Sequence, residues 1–468
     1  MHKPNRSSFN LYFLLILLTY FISRLYIFLF LKIDFSYPLK DNLIQYLDFE
    51  LLRSELWTSI FYLHSQPPLF NFFIGINEII FGNLSGVIVS FLFNLMGVFT
   101  AILAFSILDK LGVNKKLAAF LVIVYIISPA TILYENLFFY THVIIFFLVF
   151  SAYHLVVYLQ REQFINAFLL FIGLALAVLT TSFFHLFWFL SLFLYLLFGK
   201  QRDRKRIIRA AILPFLIILV LYTKNYLVFE QLNTSSWLGL NLSRITVHQL
   251  DNSTKLNLIK KGHLSEFSAF APFTQYNDLD SSVIKFFGYK TGIDVLDQTE
   301  KRNGRTNFNN YGYLKISKQM LDDDFYVIKN YPQTYLLGIY KAFLLYFDSP
   351  TKYKLLTLNT FRIKTYNKLF DSFIYGSSMN TETGYTSLIL LPMIIILALF
   401  LFIKTKTNYV LKCFIGFAIL NILYVMFVGN FLEYGENNRF RYYTEIFSVL
   451  LLGIILNELI LIKTNKKN

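Results

Sequence analysis

The sequence predicts an all-α polytopic membrane protein, and three observations carry that reading. The chain of 468 residues is 56% hydrophobic, 19% aromatic and only 15% charged, whereas a soluble domain is about one-quarter charged. Apolar runs of about 18 or more residues recur along it, each long enough to cross a hydrocarbon core as a helix. Lys and Arg gather in short loops that alternate with loops nearly free of them, the pattern that marks cytoplasmic segments. The net charge of +15 therefore reads as topology and not as a nucleic-acid surface. The single cysteine, Cys413, falls inside a predicted span, so the chain cannot form an internal disulfide.

The elements follow in order. The basic N-terminus and the apolar run after it resemble a signal peptide. The run from Phe9 to Leu31 is too long for one and lacks a small-residue cleavage site, so it is read as an uncleaved first span containing Arg24. Such an arginine snorkels, bonds a neighbouring helix or meets a ligand. Residues 32–85 form the first outer loop. Within it Leu69–Phe81 is apolar but too short to span, and is expected along the interface. Span two is Gly86–Leu108, and Lys110, Lys115 and Lys116 mark the inner loop after it. Span three is Leu117–Tyr134, span four His142–Leu159 and span five Phe164–Thr181; span six ends near Phe198. The basic run 200–206 with Arg209 is the strongest inner mark, and span seven is Ala210–Val228, with Pro214 as a tolerated kink.

Residues 229–383 break the pattern. They are polar and, after seven spans, fall outside. The apolar piece Tyr335–Phe347 is short and is read as interfacial, because a lone span there would invert the final loops. Spans eight to ten are Tyr385–Ile403, Cys413–Val428 and Ile446–Ile462, with Lys404, Lys406, Lys412, Lys463, Lys466 and Lys467 inside. The expected division is an N-terminal membrane module (1–228), whose loop 32–85 carries catalytic residues, an outer domain (229–383) and a C-terminal membrane module (384–468). Both termini are expected in the cytoplasm.

Every unusual polar cluster falls on the outer side: Asp48, His64 and Gln66 in the first loop, Glu135 and His185 at span ends, Lys224, Trp237, Asn241 and Arg244 around the end of span seven, and Arg439 and Arg441 before the last span. A transporter more often carries polar residues near the bilayer midplane and shows repeats. Collection at one surface suits an enzyme whose lipid-borne substrate presents its head group there. No Gly-rich phosphate loop is present, which argues against a nucleotide donor, and Ser182 with His185 lacks a nucleophile elbow.

The long first outer loop, its acidic residue and the stretch Tyr62-Leu-His-Ser-Gln-Pro-Pro-Leu-Phe-Asn71 resemble the GT-C glycosyltransferases. The nearest branch is the family 39-like one that includes protein O-mannosyltransferases and aminoarabinose transferases. Ser182–Trp188, Ser235–Leu242 and Asn438–Arg441 are similar to motifs of its bacterial members. The resemblance implies a GT-C-like bundle of about ten or eleven spans with interfacial helices. It also implies transfer, with inversion, from a polyprenyl-phosphate sugar to a lipid, glycan or protein acceptor, with a first-loop carboxylate as base. Membrane lipids would be partners, nucleic acid would not, and a bacterial inner membrane with an extracytoplasmic active site is the expected location. A flippase of lipid-linked glycans and an O-antigen type ligase are the alternatives.

Asp48 is the expected base and Asp41 its reserve; Asp48 also suits an N-cap for Phe49-Glu-Leu-Leu. The resemblance places Glu135 beside it in the catalytic set. His64, Gln66 and His185 are candidates for sugar hydroxyls or a divalent metal, although no ligand spacing supports a metal. Arg439 and Arg441 are expected at the lipid phosphate, or else paired with Glu433, Glu436 or Glu445. Lys224 and Arg244 are secondary phosphate candidates, and Trp237 is a sugar platform or an interfacial anchor.

Overall fold

The computed structural model describes residues 6–199, 203–378, 381 and 383–465; within these, the side chains of 6–10, 38, 39, 41, 281, 282 and 465 are not described. The basic residues at 200–202 and 466–468, and the N-terminal 1–5, thus lie outside the described residues. The chain is 77% helical with no strand among the described residues, so the apolar runs resolve as helices throughout. Among the described residues seven helices are long and apolar enough to cross a membrane: Leu11–Leu29, Pro68–Lys110, Thr141–Arg161, Arg204–Phe229, Tyr385–Lys404, Tyr409–Leu432 and Asn437–Thr464. Two further apolar helices, Phe164–Thr180 and Leu186–Phe198, are shorter. Together with a bent pair, described next, these occupy the positions of the ten expected spans, of which seven, or eight with the bent pair, are long and apolar enough to cross. The expected interfacial piece Leu69–Phe81 is the first part of the 43-residue stretch Pro68–Lys110, set off from the rest by Gly82 at φ +50°.

Span three is not one straight helix. Lys115–Ile127 and Pro129–Glu135 meet at 57°. Pro129 has no N–H to donate and drives the residue before it out of the helical region, so Ser128 is extended at φ −58°, ψ 142°. Ser128 Oγ then accepts from Thr131 N at 3.2 Å and restarts the helix. The break frees two carbonyls in a crossing segment, where an unmet polar group is costly. Arg24 Nη1 takes Ile126 O at 2.6 Å, and Tyr366 Oη takes Ile127 O at 2.7 Å. The intramembrane arginine is therefore a helix–helix bond and not a snorkel. Its remaining nitrogens grip Glu135, at 2.6 Å from Nη2 to Oε2 and 3.0 Å from Nε to Oε1, and Tyr20 Oη donates to the same carboxylate at 2.6 Å. Gly97 lets the helices close on this clamp, because a Cβ there would lie 2.4 Å from Tyr20 Oη.

The segment 229–383 is built in two parts. Trp237, Leu240, Phe267, Phe287, Phe308, Tyr313 and Ile316 form one apolar cluster, and Val247, Leu250, Leu258, Leu264 and Val327 a second. The helix Tyr311–Asn330 contributes to both. It lies directly on Gly239, where a Cβ would be 1.9 Å from Ser317 O. Beyond it, the 16-residue helix Pro332–Phe347 packs on the last two long helices, and Tyr346 and Phe347 join the core of the bundle.

Candidate active site

The segment 229–383 roofs a cleft of about 900 Å³, counted to its open mouth. Tyr140, Thr181–Phe183, His185 and Val428–Phe440 supply its floor from the ends of the long helices. Trp237, Asn241, Arg244 and Phe273 supply the roof, and Gln45 and Gln66 of the first loop close one side. These helix ends lie opposite the basic loops around residues 110–116, 203–209 and 404–412.

The chemistry concentrates in the turn 433–436 between the last two helices. Asn437 fixes that turn: Nδ2 donates to Gly429 O and Glu433 O, each at 3.0 Å, while Oδ1 accepts from Gly435 N at 3.0 Å. Gly435 adopts φ +118°, which favours glycine. The turn places two carboxylates on the cleft, each against an arginine. Glu436 Oε2 accepts from Arg439 Nε at 2.9 Å and Nη2 at 2.5 Å. Glu433 Oε1 is 3.1 Å from Arg244 Nη1. Arg439 is itself buried, its guanidinium 4.7–5.3 Å from the rings of Phe139, Tyr353 and Phe440, with Nη1 on Tyr443 Oη at 2.5 Å and Thr141 Oγ1 at 3.3 Å. Burial, reinforced by the charge of Glu436, pushes the Glu433 carboxyl up to about 7. Burial also opposes ionisation of Glu436, but Arg439 outweighs it and the carboxyl falls below its ordinary value. Two carboxylates three positions apart are thereby split into a proton acceptor poised near neutrality and a carboxylate held ionised by its arginine.

Of the residues expected at the site, the cleft gathers Gln66, His185, Arg244 and Arg439. Gln66 Oε1 is buried with no hydrogen-bond partner among the described residues. Burial lowers the pKa of His185 and holds it neutral. Trp237 is a wall of the cleft, packed on Phe273 and Phe308, and not a membrane anchor.

The other expected residues stand elsewhere. Asp48 caps the helix Phe49–Ser54: Oδ1 accepts from Glu50 N at 2.8 Å and Leu51 N at 3.3 Å, and Oδ2 accepts from Arg302 N at 2.6 Å. It is absent from the cleft lining. Its reserve, Asp41, has a side chain outside the described residues. Glu135 is engaged by Arg24 and Tyr20 in the clamp at the bent span. His64 pins the first loop to the segment 229–383. Its Nε2 must carry the proton, because it faces the carbonyl of Asn309 at 2.9 Å, while Nδ1 accepts from Ser236 Oγ at 2.7 Å. Burial lowers the His64 pKa to about 3, which keeps the ring neutral. Lys224 Nζ donates to Leu63 O at 2.8 Å and braces the same loop. Arg441 donates to Asp348 O at 3.0 Å and lies 3.7 Å from Glu445, away from the cleft lining.

The sequence reading missed Glu433 and Glu436 as site residues and treated them only as partners of the arginines. The i, i+3 spacing of Glu436 and Arg439 just before an apolar run was the available signal. Among the described residues no group of three His, Cys, Asp or Glu side chains is placed to hold a metal ion. The two cleft carboxylates already face guanidinium groups, so the donor set does not fit a divalent cation.

Fold and cleft together define an integral, multi-pass membrane protein with a polar cleft at one end of its helices. Residues 8–232 match the model of the family described as dolichyl-phosphate-mannose-protein mannosyltransferase. The match supports a membrane glycosyltransferase that draws its sugar from a polyprenyl-phosphate-linked donor. It covers Gln66 and His185 and stops short of Arg244, Glu433, Glu436 and Arg439. Comparison with curated proteins and with solved structures finds no match.

Proposed function

We propose that this cleft transfers a sugar from a polyprenyl phosphate to an acceptor outside the cytoplasm, with inversion at the anomeric carbon. The observation that carries the reading is the pairing of Glu433 and Glu436 with Arg244 and Arg439 on one cleft. Glu433 takes the proton of the acceptor hydroxyl or amine as that group attacks. The bond from the anomeric carbon to the phosphate oxygen breaks on the opposite face, and the lipid phosphate leaves as an anion. Arg244, of which Glu433 engages only Nη1, and Arg439 behind it stabilise the charge that grows there. Gln66 and Trp237 hold the sugar, by hydroxyl and by ring face. The basic loops at the opposite end of the bundle support a cytoplasmic position for that end, and with it a cleft outside the cytoplasm.

In this reading the base is Glu433, and Asp48 locks the outer segment onto the first loop. The test is incubation of the purified protein with a panel of polyprenyl-phosphate sugars and candidate acceptors, following release of the free lipid phosphate. Release that depends on Glu433 is expected. Donor movement across vesicles with no chemical change would overturn the reading in favour of a transporter.

A further inference from the structure

The stretch 357–375 is inside-out for a surface that faces water. Its two short helices, Thr357–Arg362 and Lys364–Phe370, and the turn after them leave Leu358, Phe361, Leu369 and Phe373 61, 76, 67 and 81% exposed. On the inward face, beside Ile363 and Tyr375, the polar Asn359, Asn367 and Asp371 are buried. Most of those polar groups are bonded there, Asn367 Oδ1 being left without a partner among the described residues. Asn359 Nδ2 donates to Asp34 O at 2.8 Å, and Asp371 accepts from Ser349 Oγ and Thr351 Oγ1, each at 2.8 Å, and from Asn367 Nδ2 at 3.0 Å. Four large apolar groups turned outward are unfavourable in water and favourable in lipid.

The attachment points set the depth. Tyr366 bonds Ile127 O, a carbonyl inside the bent crossing. Arg362 pairs with Asp34 at 2.6 Å, just beyond the first span, where Phe28 and Phe30 are exposed too. The apolar strip therefore continues the lipid-facing surface of the bundle. Lys364 and Lys368 stand one turn apart on one helix face. They open onto a cavity of about 350 Å³ whose other walls offer Lys352, Thr357, Thr360 and Ser377, with the Asp371 carboxyl already bonded to Ser349, Thr351 and Asn367. Lysine stems run along apolar surface while their ammonium heads reach the polar boundary.

We propose that residues 357–375 lie in the adjacent leaflet and that Lys364 and Lys368 hold the phosphate of an anionic phospholipid. The chemistry is that of a juxtamembrane basic pocket and an anionic head group. It stands or falls independently of the transfer reaction.

Two measurements on the whole protein in lipid nanodiscs test it. A nitroxide placed through Phe373→Cys should collide with oxygen about threefold more than with a water-soluble nickel chelate, as a leaflet position demands; Cys413 is buried, away from the label. The reverse ratio overturns the leaflet placement. Native mass spectrometry in mixed phosphatidylglycerol and phosphatidylcholine should show preferred retention of phosphatidylglycerol. Lys364→Gln/Lys368→Gln should cut that preference about fivefold, and Lys364→Arg/Lys368→Arg should restore it. An unchanged preference in the Gln variant overturns the site. Displacement of the bound lipid by stoichiometric polyprenyl phosphate or by millimolar inorganic phosphate overturns its assignment to a membrane phospholipid.

Discussion

Arg439 sets two nitrogens on a single oxygen of Glu436, at 2.9 and 2.5 Å. Glu433, three residues earlier, meets only one nitrogen of Arg244. The asymmetry divides labour between two chemically identical groups. The anion of Glu436 is compensated within its own pair, and its field, with burial, raises its neighbour. The acid–base character of the cleft thus follows from which carboxylate holds the better guanidinium.

Glu433→Gln is expected to lower transfer by about 10²-fold or more, the ordinary contribution of a general base, while donor binding changes little. Only the ionised carboxylate accepts a proton. Activity of the native protein should therefore rise as pH passes through about 7 and fall away below it. The pH profile of kcat/KM reads this directly. An acidic limb that persists in the Gln variant would remove Glu433 from the base role.

Arg244→Gln tests the origin of that limb. Arg244 favours the charged form of Glu433, so its removal raises the carboxyl further and moves the limb to higher pH. An upward move by about one pH unit is expected for loss of one close charge. Donor KM should rise as well, because Arg244 also meets the phosphate. A limb that stays in place would separate the two side chains functionally.

Asp48 is tested by the difference between Asn and Ala. Both Asp and Asn cap helices well. Asp48→Asn keeps the cap and gives up the bond to Arg302 N, so transfer should stay within a few-fold of wild type. Asp48→Ala should cost about 1 kcal/mol of stability through the lost cap, visible as a lower Tm in detergent. Abolished transfer in a folded Asn variant would return the base role to Asp48.

The helical runs were legible because lipid leaves an apolar crossing segment no alternative to a helix. The break at Ser128–Pro129 was not, since a tolerated proline and a disruptive one look alike in an apolar run; what distinguishes them is whether Arg24 and Tyr366 reach the freed carbonyls. The basic half of the cleft was legible as arginines at the edge of apolar segments. Its acidic half was not, because Glu433 and Glu436 read equally well as salt-bridge partners. For Asp48 the pattern Asp-Phe-Glu-Leu-Leu fits a cap and a base alike, and only the position of the 302 loop decides where the second oxygen goes. Lys224 and His64 were marked as polar groups at a membrane edge, but both serve to brace the first loop.

His64 makes stability depend on pH. Its folded pKa is depressed to about 3 by burial, so the unfolded chain binds the extra proton first. The stability this contributes is present above the ordinary value near 6.5 and is lost as pH falls from there toward 3, at up to about 1.4 kcal/mol per pH unit. His64→Gln retains a donor for Asn309 O and cannot titrate. Thermal unfolding of the two proteins from pH 7 to pH 4 should show a shallower decline in the variant. Parallel curves would mean that another group carries the acid sensitivity.

Glu135 separates structure from catalysis most sharply, because both roles predict a damaged protein. Removing one partner of a buried ion pair leaves the other charge uncompensated and costs about 3–5 kcal/mol. Glu135→Ala should therefore accumulate poorly and melt early, with Arg24 stranded beside the bent span. The double variant Arg24→Leu/Glu135→Leu leaves no stranded charge and should regain much of that loss, since replacing a buried pair by apolar groups is often neutral or better. Its Tm should exceed that of Glu135→Ala by several degrees, and it should transfer sugar at a rate near wild type. The carbonyl of Ile126 goes unmet in the double variant, which caps the recovery below full stability. A double variant that folds well and transfers nothing would place Glu135 in the reaction after all.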